Sequence, residues 1–256
     1  MSETFLGESD SITLWLIDLD SDVRRAGDRA MLEQLPLSAQ EIARARRYAF
    51  SRDRARFIAG RLAVRRLLSA RLGMDPRQIV LAANARGKPY VARPHMGCQF
   101  SLSHCDGWAL LAVCDDSEIG ADLEMLRDVP EWMQLAEHCL SPRELAALST
   151  VPARERQAAF VTCWTRKEAC LKALGTGLGI APGSFDVGVE AAERVVSIGL
   201  RGATSAAAVS GAVRVRSMRV AALLPTPARA AAPPAMVSIA RVLRRAPARR
   251  PTHPQA

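Results

Sequence analysis

Several features that would define other classes of protein are absent from this 256-residue sequence. No run of eighteen apolar residues occurs, so no membrane-spanning helix is expected. The first ten residues, MSETFLGESD, are polar and acidic, which is the wrong character for a secretory signal. The six cysteines form no CxxC pair, and most of them lie in apolar runs. We therefore expect reduced core cysteines and a cytoplasmic protein.

Motifs for two kinds of nucleotide chemistry are also missing. No GxxxxGK[ST] loop is present, so a P-loop enzyme is not expected. Aromatic residues make up 5% of the chain, and neither zinc-finger spacing nor a basic stretch interleaved with aromatics occurs. Nucleic acid is therefore not an expected partner. The net charge of +9 instead suits an anionic substrate or an acidic partner.

The positive charge is unevenly placed along the chain. From Arg241 onward, RVLRRAPARRPTHPQA contributes five arginines and no acidic residue, which leaves +4 for the rest of the chain. This richness in Pro, Ala and Arg predicts a disordered basic tail over 241–256. A non-enzymatic basic binding protein, driven by the tail, is one function that remains open.

A possible internal repeat has an offset of 103 residues. LSAQEIA at 37–43 resembles LSPRELA at 140–146. Each segment places a serine three residues before a glutamate, which is the capping-box signature of a helix start. The identities are few, so chance similarity between two ordinary helix starts remains an alternative to duplication. A duplication predicts two similar lobes that face each other, with a functional site between them.

The residue pattern predicts an α+β fold that is mainly antiparallel. Helices are predicted at 38–48, 52–72, 131–139, 141–149 and 154–174. Strands are predicted at 11–19, at 78–84, on both sides of a Ser-His loop within 99–115, at 119–124, and in SFDVGVE, RVVSIGL and VRVRSMRVAALL after Gly175.

The predicted strand IGADLE, residues 119–124, carries two acids on one face. Side chains alternate along a strand, so Asp122 and Glu124 point the same way, roughly 7 Å apart. Like charges at that distance repel each other unless a positive charge lies between them. A solvated strand face is the simpler alternative.

A third acid lies on the last predicted helix, FVTCWTRKEACLKALGTGLG. Trp164, Glu168 and Lys172 follow one another at four-residue intervals and line one helix face. An exposed Glu-Lys pair explains this helix alone. Together with Asp122 and Glu124, however, Glu168 could surround one hard divalent cation. Mg²⁺ prefers oxygen ligands and commonly takes its remaining ligands from phosphates.

These motifs, taken in order, resemble the Sfp-type 4′-phosphopantetheinyl transferases. The segments are FSLSH at 100–104, IGADLE, and FVTCWTRKEACLKALGTGL at 160–178, with GKP at 87–89. The resemblance covers about residues 10–225, and the ordered set is specific although any one motif alone is weak. The chain departs from the family pattern at Ala121 and Leu140, where a branched aliphatic residue and a phenylalanine are usual.

The resemblance implies a pseudodimer of two similar α+β lobes with the active site at their interface, in a chain that acts as a monomer. We expect an N-terminal lobe over 1–115 that binds the nucleotide of coenzyme A. A C-terminal lobe over 116–240 would supply the metal site and the catalytic residues, and the basic tail would follow.

The implied reaction transfers the 4′-phosphopantetheine arm of coenzyme A to a serine of an acyl or peptidyl carrier protein, with release of 3′,5′-ADP. Asp122, Glu124 and Glu168 would hold Mg²⁺ on the pyrophosphate, and Lys172 would stabilise the leaving phosphate. Glu144 matches the family glutamate proposed to take the serine proton, but it is also a capping-box residue. Glu168 or a metal-bound water could take the proton instead. Secondary metabolism is the expected setting, and the sequence leaves open whether the carrier protein belongs to siderophore, polyketide, peptide or fatty-acid synthesis.

The resemblance also implies a binding site for coenzyme A. Its candidate residues are Arg44, Arg56, Lys88, Pro89, Ser103 and His104. Both arginines lie in the basic segment ARARRYAFSRDRARF, where a solvated helix face is the alternative. For His104, a satisfied loop histidine is the alternative. A different Mg²⁺-dependent phosphotransferase or nucleotide hydrolase remains the second open function.

Overall fold

A computed structural model describes residues 3–9, 11–21, 29–93, 97–198, 211–220 and 233–243. These residues contain both helices and strands, as an α+β fold requires. The strands are β1 Glu3–Ser9, β2 Ile12–Asp18, β3 Val80–Ala83, β4 Pro89–Arg93, β5 Gln99–Cys105, β6 Trp108–Cys114, β7 Ile119–Met125, β8 Arg194–Ile198, β9 Gly211–Arg219 and β10 Ala235–Leu243. The α-helices are α1 Ala39–Arg46, α2 Ser51–Leu72, α3 Trp132–Cys139, α4 Pro142–Thr150 and α5 Ala153–Leu174.

The strands form two antiparallel four-stranded sheets and a separate hairpin. The first sheet has the order β1-β2-β6-β5, and the second has the order β7-β10-β9-β8. The hairpin pairs β3 with β4. All pairings within the sheets are antiparallel, as the sequence predicted.

Three apolar clusters hold the sheets and the two long helices in four layers. Helix α2 packs on the outer face of the first sheet, and α5 packs on the outer face of the second. The inner faces of the two sheets pack against each other. Because side chains alternate along a strand, neighbouring residues of β2, β6 and β10 serve different clusters. The inner cluster includes Leu14, Leu16, Leu110, Ala112, Ala121, Leu123, Val237 and Ile239.

Gly120 lets α5 lie directly on β7. A Cβ atom at this position would fall well inside the van der Waals distance of the Ala169 carbonyl oxygen and the Ala173 amide nitrogen. Both of these atoms belong to the backbone of α5 and cannot rotate away. The glycine between Ile119 and Ala121 is therefore required by packing.

Gly120→Ala is expected to lower the free energy of unfolding by about 1–3 kcal/mol, because the added methyl group must push α5 off the sheet. Gly60→Ala is the matched control. Gly60 lies inside α2, where an added Cβ would meet only Leu19 Cδ2 at 3.7 Å, an ordinary contact. Alanine is the better helix former, so this variant should be neutral or more stable by up to about 1 kcal/mol. Denaturant titration of both variants tests the prediction, which equal effects would contradict.

Both predicted capping boxes are present. Ser38 Oγ accepts a hydrogen bond from the Glu41 amide at 3.2 Å, and the Ser38 amide donates to Glu41 Oε2 at 2.8 Å. Ser141 and Glu144 repeat this pair of bonds at 3.2 and 2.9 Å. A 22-residue helix follows each of the two capped helices along the chain.

The similarity between the two segments extends into tertiary structure. Glu41 Oε2 pairs with the buried Arg65 of α2 at 2.8 Å. Glu144 Oε2 pairs with the buried Lys167 of α5 at 2.7 Å. In each half of the chain, the capping-box glutamate thus joins its own short helix to a cation on the long helix that follows.

The predicted strand SFDVGVE was wrong. Its first residue ends a short 3-10 helix at Pro182–Ser184, and residues 185–190 form no strand. The Val187 amide donates to Glu144 Oε1 at 2.7 Å, and the Val187 carbonyl accepts from Arg166 Nε at 3.0 Å. Buried side chains thus use the hydrogen-bonding groups that a strand would need.

Three strands, β1, β4 and β10, were missed, and β10 corrects the tail boundary. Strand β1 lies in the polar N-terminus, and β10 lies between β7 and β9. Residues 241–243 belong to β10, so the tail predicted from Arg241 was wrong for them; 244–256 lie outside the described residues. β10 is buried on both faces from Ala235 to Ala240, so it lacks the alternation that marks a half-buried strand.

The structure also describes long helices and cysteines, the features behind two of the expectations about protein class. No helix in the described ranges is both long and apolar enough to cross a bilayer. All six cysteines are free, and four of them are buried: Cys98, Cys114, Cys163 and Cys170.

Candidate active site

The candidate site lies where the edge strand β5 of the first sheet meets the edge strand β7 of the second. No backbone ladder joins these strands; instead, Ser101 Oγ accepts a hydrogen bond from the Ala121 amide at 2.9 Å. Ser103 and His104 lie within β5, so the Ser-His loop was wrong, and the turn comes at Asp106 and Gly107. Helix α5 covers the outer face of β7. Three segments far apart in sequence thus meet here.

Lys172, Asp122 and Ser103 form a closed set of hydrogen bonds at this meeting point. Lys172 Nζ donates to Asp122 Oδ1 at 2.5 Å and to Ser103 Oγ at 3.1 Å. Ser103 Oγ also donates to Asp122 Oδ1, at 2.9 Å. Asp122 is 3% exposed, and its second oxygen, Oδ2, is buried without a hydrogen-bond partner in the described part of the chain. A positive side chain therefore balances one of the two acids of IGADLE, and one buried oxygen stays available.

Glu124 lies beside Asp122 and is held by two weak donors. Trp164 Nε1 donates to Oε1 at 3.4 Å, and Cys105 Sγ donates to Oε2 at 3.5 Å. Partial burial raises the pKa of Glu124, and the charge of Asp122 raises it further. The two donors and Lys172 act in the opposite direction. Burial and the neighbouring negative charge thus outweigh the two donors and Lys172.

Glu168 approaches the same region from α5. Partial burial raises the pKa of Glu168, and the charges of Asp122 and Glu124 add to this effect, whereas Lys172 opposes it. Asp122 thus acts electrostatically on both other acids of the sequence hypothesis, and Glu124 acts on Glu168. Three carboxyl groups with a single lysine between them carry an excess of negative charge.

The chemistry of these groups fits a divalent cation, although they do not enclose one. Within the described ranges, no three His, Cys, Asp or Glu side chains lie close enough together to form a ready metal site. Asp122 Oδ2 is buried without a hydrogen-bond partner in the described residues, and burial raises the pKa values of Glu124 and Glu168. A hard cation bound to these oxygens would compensate for the unpaired oxygen and for the negative charge. The Mg²⁺ site therefore stays a prediction that the donor set supports.

Glu144 has a structural environment. Its carboxylate accepts hydrogen bonds from the Ser141 amide at 2.9 Å and the Val187 amide at 2.7 Å, and it pairs with Lys167. The residue is 2% exposed. Lys167 also donates to the Pro182 carbonyl at 2.7 Å. Both carboxylate oxygens are therefore engaged, as expected if Glu144 serves as a capping-box residue. Its role as the base that takes the serine proton stays a prediction.

A cationic region borders the carboxylates. His104 is exposed on β5; partial burial lowers the pKa of its imidazole, and the charges of Lys172 and Arg44 lower it further. The Arg44 guanidinium stacks over the Phe57 ring, 5.1 Å from its centroid. The structure therefore brings His104, Arg44, Lys172 and Ser103 into one neighbourhood, where they suit phosphate oxygens.

Arg56 is already paired with an acid that the sequence analysis missed. Its Nε and Nη2 donate to the two oxygens of Asp20 at 2.7 and 2.6 Å. This contact lowers the pKa of Asp20, and the Asp20 carboxylate lies against Gly107, where a Cβ would clash with it. The two residues are 36 apart in sequence, so no local pattern could have identified the pair.

Lys88 connects the β3-β4 hairpin to the end of α5. Its ammonium pairs with Glu118 and donates to the Ala173 carbonyl at 2.8 Å, and burial lowers its pKa. Asn84 Nδ2 donates to the Gly175 carbonyl at 3.2 Å from the same turn. Pro89 begins β4 directly after the turn. The hairpin thus reaches the glycine-rich end of α5, while the roles of Lys88 and Pro89 toward a nucleotide stay predictions.

Family models match two consecutive segments of the chain. Residues 29–116 match a model described as "4′-phosphopantetheinyl transferase, N-terminal". Residues 118–221 match a model described as "4′-phosphopantetheinyl transferase superfamily". The junction between the two matches falls between β6 and β7.

Curated relatives carry the same description. The chain is 40% identical over 172 residues to 4′-phosphopantetheinyl transferase HetI of Nostoc, which covers 66% of this chain and 71% of the relative. It is 31% identical over 159 residues to 4′-phosphopantetheinyl transferase psf-1 of Bacillus pumilus, covering 61% and 66%. A phosphopantetheinyl transferase of Thraustochytrium is 30% identical over 181 residues, covering 66% and 62%. The chain thus spans between about three fifths and seven tenths of these relatives' lengths.

Proposed function

The chain belongs to the 4′-phosphopantetheinyl transferase superfamily, and from this premise we propose that it modifies carrier proteins with the phosphopantetheine arm of coenzyme A. The observation that carries the proposal is the contact of Lys172 with Asp122 and Ser103, flanked by Glu124 and Glu168. In the proposed reaction, a carrier serine oxygen attacks the phosphorus that bears pantetheine. The bond to the bridging oxygen breaks, 3′,5′-ADP leaves, and the serine proton passes to a base.

We also propose that the two halves of the chain are lobes of a pseudodimer with the site at their interface. Support comes from the two four-stranded sheets and from the matching pairs Glu41–Arg65 and Glu144–Lys167. Because one chain supplies Ser103 from the first sheet and Asp122 from the second, a monomer contains the whole candidate site. The free cysteines agree with the cytoplasmic location expected from the sequence.

We assign the residues different roles in this reaction according to their charge. Asp122, Glu124 and Glu168 would hold Mg²⁺, which when bound neutralises charge on the pyrophosphate. We assign donation to oxygens of the leaving phosphate to Lys172, and the hydrogen bond from its ammonium to Ser103 Oγ supports this assignment. Since both oxygens of Glu144 are engaged, we assign removal of the serine proton to Glu168 or to a water molecule that it orients.

Transfer can be tested directly by mass. The purified protein is incubated with coenzyme A, Mg²⁺ and a panel of carrier proteins, and each carrier is weighed by mass spectrometry. The proposal expects a gain of one phosphopantetheine on one or more carriers, dependent on the carrier serine. Breakdown of coenzyme A in the absence of any carrier would instead indicate a nucleotide hydrolase, and no reaction in either arm would favour a binding protein.

We propose that Arg56 and Lys88 lie near the 3′-phosphate of coenzyme A, as the resemblance implies. Arg56→Ala and Lys88→Ala are therefore expected to weaken the binding of coenzyme A more than the binding of dephospho-coenzyme A. Losing one charge-assisted hydrogen bond costs roughly 1.5–3 kcal/mol, or about 10–100-fold in affinity. Calorimetry with the two ligands measures the difference. Arg154→Ala removes an exposed arginine at the far end of α5 and serves as the control. An equal loss for both ligands would show that the assignment is wrong.

A further inference from the structure

Positive charge is concentrated in the last quarter of the chain. Residues 194–256 contain eleven arginines and neither aspartate nor glutamate. The whole chain carries +9, so the charge excess comes from this part of the sequence. Its described residues build β8, β9 and β10 of the second sheet. No side chain from 194 onward can therefore supply a carboxylate to neutralise these arginines.

Three arginines of this region converge on one cavity. Arg214, Arg216 and Arg241 line a cavity of about 420 Å³ together with Glu193, Ile12 and Ile239. Arg214 lies directly opposite Arg241 in the β9-β10 register, and Arg216 lies opposite Ile239. Residues opposite each other in an antiparallel pair share a face, so all three guanidinium groups project from the same side of the sheet. The volume is within the range of small-molecule sites.

The charges around this cavity do not balance. Like charges directly opposite each other on two strands are unfavourable. Arg241 is compensated by Asp116 at 2.6 Å and Ser117 at 2.7 Å, and Arg214 is only loosely paired with Glu193 at 3.4 Å. Arg216 is half-buried and makes no hydrogen bond or ion pair with the described ranges of the chain. A partly desolvated guanidinium without an anion is costly, and a bound anion would remove that cost.

The cavity is separate from the candidate active site. Asp122 pairs in register with Ser238, whose hydroxyl hydrogen-bonds Thr165 of α5. The next residue of β10, Ile239, points to the opposite face, and this is the face that bears the arginines. The arginines and the carboxylates of the site therefore lie on opposite sides of the second sheet.

We propose that this cavity is an oxyanion-binding subsite for a small molecule that carries phosphate. The planar guanidinium group presents paired N–H donors that match the oxygens of phosphate. In Arg216, these donors have no partner within the described part of the chain. Arg214 and Arg241 add positive charge on the same face, and the apolar wall of Ile12 and Ile239 excludes water from one side. This site goes beyond the proposed transfer reaction and does not depend on it.

The experiment is calorimetric titration of the full chain with inorganic pyrophosphate in chelator-treated buffer. Arg216→Gln removes the free guanidinium and should weaken binding at least about 10-fold. Arg219→Gln is the matched control, because Arg219 is exposed on the same strand but lies opposite Met236, on the other face of the sheet. This control should bind as the wild type does. Thermal melts check that all three proteins are folded.

Three results would overturn the proposal. The wild type could fail to bind pyrophosphate, Arg216→Gln could titrate like the wild type, or Arg219→Gln could lose as much affinity as Arg216→Gln. The last result would indicate general attraction to a basic surface, which salt screens over about 8–10 Å. Carrier modification by Arg216→Gln should remain at the wild-type rate, so failure of the subsite and failure of the proposed function give different results.

Discussion

Glu168→Gln is expected to reduce carrier modification by about 10²–10³-fold while leaving the protein at least as stable as the wild type. The loss follows from removing the carboxylate that would help to hold Mg²⁺ on the pyrophosphate and that we assign to removal of the serine proton. Rates are measured by the mass assay, and stability is measured by thermal melting. Asp122→Asn should show a similar loss of rate, but the buried Asp122 Oδ1 accepts hydrogen bonds from both Lys172 and Ser103, so this variant should also be less stable than the wild type.

The stability of Glu168→Gln follows from the raised pKa of Glu168. The folded protein holds this proton more tightly than the unfolded chain does, so the group's contribution to stability is lost as the pH rises through the folded pKa. Above the folded pKa the charged carboxylate therefore opposes folding, and glutamine removes the charge without changing the shape.

Glu155→Gln provides the control for this variant on the same helix. Glu155 is exposed and forms an ion pair with the exposed Arg154, so both rate and stability should stay close to the wild type. Full activity of Glu168→Gln in chelator-treated buffer would exclude the three-carboxylate site.

Lys167→Met is expected to lower the free energy of unfolding by about 3–5 kcal/mol, because it leaves the buried Glu144 carboxylate without its cation. The side chains of both residues are almost fully buried, at 0% and 3% exposure, so water cannot compensate. Replacing both partners, in Lys167→Met with Glu144→Leu, should restore part of the loss. Denaturant titration of the single and double variants measures the difference, and equal stability of all of them would refute the buried pair.

Glu144→Gln separates a structural role from a catalytic one. We expect it to destabilise the fold about as much as Glu41→Gln, its counterpart in the first half, since each glutamate caps a helix and pairs with a buried cation. Below the unfolding transition, both variants should modify carriers at rates within a few-fold of each other. A loss of rate confined to Glu144→Gln would restore Glu144 as the base.

Much of the candidate site was predictable because its residues lie in short motifs. IGADLE and the helix from Phe160 define Asp122, Glu124, Glu168 and Lys172 through the two local periodicities of strand and helix. The partners of these residues were not predictable in the same way. Ser103 reaches Asp122 from a different sheet, and Asp20 reaches Arg56 across 36 residues. Neither contact has a local signature.

By itself, the sequence determined the features that depend on neighbours along the chain: the capping boxes at Ser38 and Ser141, the two long helices, and most of the strands with alternating patterns. Only the tertiary structure decided that β10 enters between β7 and β9, that Gly120 admits α5, and that Glu144 is a buried anchor. The reason is physical. Capping and periodicity are short-range interactions, whereas strand order, close packing and buried ion pairs join residues that only the folded chain brings together.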